Sequence, residues 1–221
     1  MTKHAIFGAL MVVVVLAVAA ACLPAAAQQT DEEGWIPLFN GKDMTGWVLH
    51  DPNHSAWQVA DGVMFQDRAS CDINSETTMG DHELHIEFLV PPGSNSGVYI
   101  QGRYEIQVCD SAGATDLSDG MCGAIYGKIA PSRNAAKPAG EWQTFDVTFH
   151  QAQLDDDGNL VAKARITVIH NGITIVDDQE IDGVTGAAMD DNEGQPGPLK
   201  LQGDHGPIKY RNIKYRPLEG E

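Results

Sequence analysis

The chain has 221 residues, with 14 Lys and Arg against 31 Asp and Glu, for a formal net charge of −17. An acid excess this large repels nucleic-acid phosphates and anionic lipid, which excludes both as expected partners. The length suits one domain with a full core behind a short leader.

Lys3 and His4 precede an apolar run from Ala5 to Leu23, which ends in Pro24 and Ala25-Ala26-Ala27. A basic start, an apolar middle and an A-x-A end make an export signal. Residues 1–27 are therefore expected to be removed, leaving Gln28 as the new terminus and 28–33 as a short tail. Loss of Lys3 takes the formal charge from −17 to −18. Two other fates are open to the same segment. The run is long enough to span a bilayer core of roughly 30 Å as a retained anchor, and Cys22 could carry lipid as bacterial lipoproteins do. Each places the protein outside the cytosol, in the periplasm, secreted or held at the cell surface.

The rest of the chain shows no helical periodicity, whereas period-two alternation recurs. From His82 onward Leu84, Ile86 and Phe88 share one face, and Glu83, His85 and Glu87 the other. Further on, Phe145, Val147 and Phe149 alternate with Asp146, Thr148 and His150. Asn171-Gly172 supplies a positive-φ pair between two β-branched runs at 164–176, the signature of a tight hairpin, and Asp61-Gly62 does the same between 57–59 and 63–65. Strands are also expected at 97–101, 104–109, 197–202 and 208–216, with loops at 110–122, 130–140, 154–159 and 183–198. The expected fold class is all-β, an antiparallel sandwich or barrel forming one domain over 34–218.

Three cysteines follow the leader: Cys71, Cys109 and Cys122. Outside the cytosol a Cys109–Cys122 disulfide could close the 110–122 loop, leaving Cys71 free, while the odd count also allows that none is paired. No C-x-x-C pair points to zinc. Asp155-Asp156-Asp157-Gly158-Asn159 lacks the ligand spacing and closing Glu of a calcium loop and reads as a polar turn. His82 and His85, three apart on a strand, face opposite ways and make a poor metal pair. Trp35, Trp47, Trp57 and Trp142 are expected in the core, though one exposed Trp would suffice to stack a sugar.

The most informative stretch is 95–110, NSGVYIQGRYEIQVCD. Val98, Ile100, Tyr104, Ile106 and Val108 alternate with Tyr99, Gln101, Arg103, Glu105 and Gln107. The second set is a row of long side chains that can hydrogen-bond a polyol, with one carboxylate among them. Such a row is either a solvated outer face or the lining of a sugar groove, and a bulge at Gly102 would shift its phase. Asp204-His205-Gly206 lies between two expected strands, where a histidine can overhang a groove, though a lone loop histidine is more often a hydrogen-bonded structural residue. Glu105 and Asp110 are an odd number of residues apart and face opposite ways, so the paired carboxyls of retaining glycoside hydrolysis are missing.

These blocks, together with GWIPLFNGKDMTGW (34–47), GDHELHIEF (80–88), GAIYG (123–127), GEWQTFDVTF (140–149), HNG (170–172) and LQGDHGPIKYRNIKYRPL (201–218), occur in an order that resembles the 3-keto-disaccharide hydrolase family. The resemblance implies an antiparallel β-sandwich of the concanavalin A-like jelly-roll type. It also implies an exported enzyme acting on glycosides oxidised at C3. There the ketone acidifies the C2–H, a general base removes that proton, the C1 glycosidic oxygen leaves by β-elimination, and water adds to the enone. On that basis Glu105 becomes the base or a metal ligand. Gln101, Arg103 and Gln107 hold hydroxyls or the keto oxygen, and Tyr126 and His205 deliver a proton to the leaving group. A divalent metal could stabilise the enolate, with no ligands assigned. Two rivals remain on the same fold. A lectin-like binding module would set an exposed Trp beside the polar row, and an adhesion domain would leave the row flat.

Overall fold

A computed structural model describes residues 33–218; the expected leader, with Cys22 and Gln28, lies outside them. The strands are β1 (Ile36–Pro37), β2 (Trp47–Leu49), β3 (Gln58–Ala60), β4 (Val63–Gln66), β5 (Ile73–Met79), β6 (His82–Leu89), β7 (Asn95–Ile100) and β8 (Tyr104–Cys109). After them come β9 (Gln143–His150), β10 (Gln153–Leu154), β11 (Leu160–Ala162), β12 (Arg165–His170), β13 (Ile173–Glu180), β14 (Gly197–Leu201) and β15 (Ile208–Pro217). One large antiparallel sheet runs β13-β12-β9-β6-β15-β4-β3, with β1 also on β15. A smaller one runs β2-β5-β14-β7-β8, and β10 and β11 form a separate hairpin. The all-β sandwich expected from the sequence is the fold observed.

Alternation explains the large sheet. Leu84, Ile86 and Phe88 of β6 and Phe145, Val147 and Phe149 of β9 are buried, while their alternate residues are not. The inward rings meet closely, Phe88 lying 4.6 Å from Phe145 between centroids, a spacing at which aromatic pairs add to burial. One core cluster joins the large sheet to the small one, and two of its contacts show how. Tyr104 of β8 packs on Phe149 of β9 at 5.3 Å, and the Tyr210 hydroxyl of β15 bonds Ser96 Oγ of β7 at 2.8 Å. Both expected hairpins form on positive-φ pairs, Asp61-Gly62 and Asn171-Gly172. The Asp155 carboxylate accepts from the Asp157 and Asn159 amides, so the acidic run is a turn. His82 is buried, whereas His85 on the outer face bonds Asp146 at 2.6 Å.

The expected Cys109–Cys122 bridge is not formed: Cys71, Cys109 and Cys122 are all free thiols. Cys109 Sγ donates instead to the Gly120 carbonyl at 3.8 Å. Burial pushes Cys109 up to about 11 and Cys122 up to about 12, and the two thiols lie close enough to interact. Closeness along a loop gave the spacing and could not reveal this environment.

Gly203, just after β14, ties the small sheet to the loop that follows. Its amide donates to Asp72 Oδ1 at 2.9 Å, and its carbonyl accepts from the Ser70 amide at 2.7 Å and Gln66 Nε2 at 2.6 Å. A Cβ there would lie 2.0 Å from the Cys71 carbonyl oxygen, which belongs to backbone and cannot swing aside. Gly203→Ala is expected to cost about 3 kcal/mol of stability through overpacking. Chemical denaturation checks this, and an unchanged midpoint would show that the loop yields freely.

Candidate functional site

The small sheet is buried on both faces. Val98, Ile100, Tyr104, Ile106 and Val108 enter the core, yet Tyr99, Glu105 and Gln107 on the opposite face are buried as well. The second face is therefore no solvated surface. The cover comes from the 183–196 segment, from 202–205 and from 123–127. Pairing across the sheet explains how polar groups are aligned there. Asn74 of β5 is in register with Lys200 of β14, Lys200 with Tyr99 of β7, and Tyr99 with Glu105 of β8. The Tyr126 amide then donates to the Glu105 carbonyl at 3.0 Å. Residues in register share a face, so the row continues to Tyr126.

At its centre Glu105 is only 4% exposed. The Tyr99 hydroxyl donates to its Oε2 at 2.8 Å and also approaches the Gly186 carbonyl at 3.3 Å. A Cβ on Gly97 would sit 2.5 Å from Glu105 Oε1, so the absence of a side chain at that position leaves room for the second carboxylate oxygen. Lys200 Nζ lies 4.3 Å above the Tyr99 ring and bonds Asp72 Oδ2 at 2.9 Å and the Ala187 carbonyl at 2.7 Å. Burial raises the Glu105 carboxyl to about 7, with Asp204 pushing the same way and the Tyr99 bond, Lys200 and His205 opposing. At neutral pH the group is therefore divided between acid and base forms.

Glu105 opens into a cleft of about 220 Å³, also lined by Asn95, Tyr99, Gln107, Tyr126, Gln202, His205 and the Gly186–Ala187 backbone. Four of the residues singled out from the sequence meet here: Glu105, Gln107, Tyr126 and His205. Gln107 Oε1 accepts from the Val108 amide at 3.0 Å. Tyr126 stands at the rim, 42% exposed, and His205 Nδ1 pairs with the Asp204 carboxylate, which leaves Nε2 for a ligand. Gln101 and Arg103 are elsewhere, and here the expectation needs correcting. Gln101 and Gly102 both have positive φ and make the β7–β8 turn, with Ile100 paired to Tyr104. The strand phase is broken there, as a bulge at Gly102 would do. Gln101 Nε2 bonds the Met79 carbonyl at 2.8 Å and Gln151 Oε1 at 2.7 Å. Arg103 clamps the cover, with Nε on Asp190 Oδ1 and Nη1 on the Gln195 carbonyl, both at 2.6 Å.

Sequence reasoning missed Lys200, Gln202, Asn95 and Gly97. A signal for the first two existed, since Lys200 and Gln202 alternate with Leu199 and Leu201 and so fall on the face opposite the core. Among the described residues no three His, Cys, Asp or Glu side chains converge to hold a metal. A depression of about 300 Å³ on the outer face of the large sheet is lined by Phe65, Trp142, Lys209 and Arg211. Its arginine is engaged by Glu87 at 2.7 Å and by the Trp142 ring.

With this geometry in place, comparison with known proteins settles the family. The model described as the 3-keto-alpha-glucoside-1,2-lyase-like domain matches residues 34–216. The chain belongs to that family. Its relatives include a protein of Bacteroides thetaiotaomicron named 3-keto-disaccharide hydrolase, 23% identical over 160 residues, which cover 56% of this chain and 55% of that protein. The chain thus spans about half the length of that curated relative. A crystal structure from Parabacteroides distasonis, provisionally titled a glycosyl hydrolase, is 32% identical, with a TM-score of 0.73 over 84% of each chain. A second structure from that organism under the same title has 22% identity and a TM-score of 0.64, over 85% of this chain and 95% of its own. The jelly-roll fold and a place among glycosyl hydrolase-like proteins follow from these matches.

The electrostatics of Glu105 give a test that needs no substrate. Its folded carboxyl binds a proton more tightly than an unfolded one, so its contribution to stability is full below about pH 4.5 and is lost as pH rises through about 7. Glu105→Gln removes that loss. The variant is expected to match the wild type near pH 4.5 and to exceed it by about 2 kcal/mol at pH 8. Thermal or urea unfolding at the two pH values reads the difference, and a deficit at pH 8 would refute the burial account.

Proposed function

We propose that the protein cleaves 3-keto-glycosides by proton abstraction at C2, β-elimination across C1–C2 and hydration of the enone, a net hydrolysis. The observation that carries this reading is a single buried carboxyl, Glu105, held near neutrality in a cleft whose other lining residues include no second carboxylic acid. Ordinary glycoside hydrolysis needs two carboxyls flanking the bond, roughly 5–5.5 Å apart for retention. Elimination beside a ketone needs one base, because the carbonyl already acidifies the adjacent C–H. The family match supports the substrate class.

In this mechanism Glu105 Oε1, on the side left open by Gly97, takes the C2 proton, while Oε2 stays on the Tyr99 hydroxyl. The C2–H pair passes to the C1–C2 bond by way of the enolate, and the C1–O pair leaves with the aglycone oxygen. His205 or Tyr126 protonates that oxygen at the mouth of the cleft. Gln107 and Asn95 hold hydroxyls or the keto oxygen. Water then adds across the enone and returns a free 3-keto sugar.

The lectin-like alternative expected a tryptophan beside the polar row. Trp47 and Trp57 are buried, Trp35 and Trp142 lie under cationic side chains, and none lines the cleft. The adhesion alternative expected a flat row, and a cleft stands in its place.

Glu105→Gln is expected to fold and to lose about 10²–10⁴-fold in kcat on a 3-keto-glycoside. Wild-type kcat/KM should rise with pH through about 7 as the base deprotonates, and the variant's residual rate should lack that limb. Product analysis across pH decides the matter; full activity in the variant removes Glu105 from the chemistry.

We further propose export, on the evidence of the 1–27 leader alone. N-terminal sequencing of exported protein is expected to begin at Gln28, and a blocked, lipid-bearing Cys22 would replace that processing by lipidation.

A further inference from the structure

The cleft holds about 220 Å³, less than the roughly 300–1,000 Å³ of sites that enclose drug-sized ligands. That is room for one sugar ring and not for two, so whatever the ring carries at C1 lies outside, at the mouth. The side chain that stands there is Tyr126, 42% exposed. Its backbone is fixed on both sides. The Tyr126 amide donates to the Glu105 carbonyl at 3.0 Å, and the Gly127 amide donates to the Asp119 carbonyl at 3.0 Å. The ring lies between two loops, each of which presents a glycine to it. A Cβ on Gly120 would sit 3.9 Å from Cε2, and one on Gly186 would sit 3.9 Å from Cε1. Backbone without side chains thus flanks both edges, and the exposure leaves the ring face between them open to a ligand.

The position of that face relative to the proposed base gives it a role. Tyr126 is the neighbour of Glu105 beside the bridge between Ile106 and Ile125, and adjacent strands lie about 4.8 Å apart. In the proposed chemistry the base acts at C2 and the aglycone leaves from the adjoining C1. A ring one strand spacing from Glu105 therefore stands beside the first atoms of the aglycone. An aromatic face is complementary to another flat apolar face, whether an aromatic ring or the C–H face of a pyranose. We infer that Tyr126 is a specificity-determining residue whose ring stacks on a cyclic aglycone, favouring glycosides that carry a ring at C1 over those that carry a small alkyl group. This inference rests on the carbohydrate reading of the cleft and adds the class of leaving group. It concerns the ring of Tyr126 and not its hydroxyl, and Tyr126→Phe separates the two.

The test uses the full chain and titration calorimetry. The probes are methyl glucoside, phenyl glucoside and a glucose disaccharide, in both anomers, which lack the ketone and do not react. The wild type is expected to bind at least one ring-bearing probe about 3- to 10-fold more tightly than methyl glucoside of the same anomer, and the probe that does so names the ring. Tyr126→Phe is expected to retain that preference, and Tyr126→Ala to bring the probes within about 2-fold of each other. Tyr126→Thr serves as a second non-aromatic variant should the melting curve show that Ala impairs folding. A wild type that binds neither ring-bearing probe more tightly than methyl glucoside overturns the inference. So does an undiminished preference in a folded non-aromatic variant, or its loss in Tyr126→Phe. Turnover of a 3-keto-glycoside is measured separately: absent turnover with a Tyr126-dependent preference defeats the enzymatic reading and leaves this one standing, and turnover without that preference does the opposite.

Discussion

The small sheet is buried twice, and most of what makes the site follows from that constraint. A sheet with one face on the core ordinarily turns the other to water, where polar side chains are solvated at little cost. Here β7, β8 and β14 have Tyr99, Glu105, Gln107 and Lys200 under cover as well. Each polar group on that face must be paired, tuned or left at a cost. Lys200 is paired with Asp72 and the Ala187 carbonyl. Glu105 has one hydrogen bond from Tyr99 and no ion pair, and its proton affinity rises accordingly. The base proposed for the chemistry is thus a product of burial, with Lys200 and His205 limiting how far the rise goes.

The cover is secured at the β7–β8 turn. Arg103 reaches Asp190 and the Gln195 carbonyl, the Tyr104 hydroxyl bonds Glu193 Oε2 at 2.8 Å, and the Met189 amide bonds the Gly102 carbonyl at 2.9 Å. Thr185 Oγ1 accepts from the Glu105 amide at 3.0 Å and donates to the Arg103 carbonyl at 2.9 Å. The 183–196 segment is thereby held by the strand it covers, and its Gly186–Ala187 backbone becomes a wall of the cleft. Arg103 matters to the site through this wall, without facing a ligand. A charged residue with 4% exposure whose partners lie on a loop is a positioning device.

The cleft holds one carboxylic acid, a histidine oriented by Asp204, a rim tyrosine and a group of carboxamides. That set is poor for displacement at an unactivated acetal, where charge builds on the ring oxygen and a second carboxylate must answer it. The proposed elimination on an already activated substrate asks less of such a set: placement, one proton acceptor and one donor.

How much of this was legible beforehand divides along physical lines. Period-two alternation at 82–90 and 142–150 and the Asp61-Gly62 and Asn171-Gly172 pairs determined strands, turns and fold class, because side-chain direction and φ preference are local properties. Alternation at 98–108 put Glu105 and Gln107 on a common polar face, and the ordered blocks from 34 to 218 identified the family. Gln101 and Arg103 were assigned to that face by extending the alternation through a turn, where two positive-φ residues break the phase. The cysteine pairing was inferred from loop length, while the state of the thiols depends on how deeply they are buried. Only the tertiary structure decided that the polar face is covered and that Lys200 and Tyr99 stand beside Glu105. Each of these is a relation between strands or loops far apart in the chain, and one strand's sequence carries no record of what packs above it.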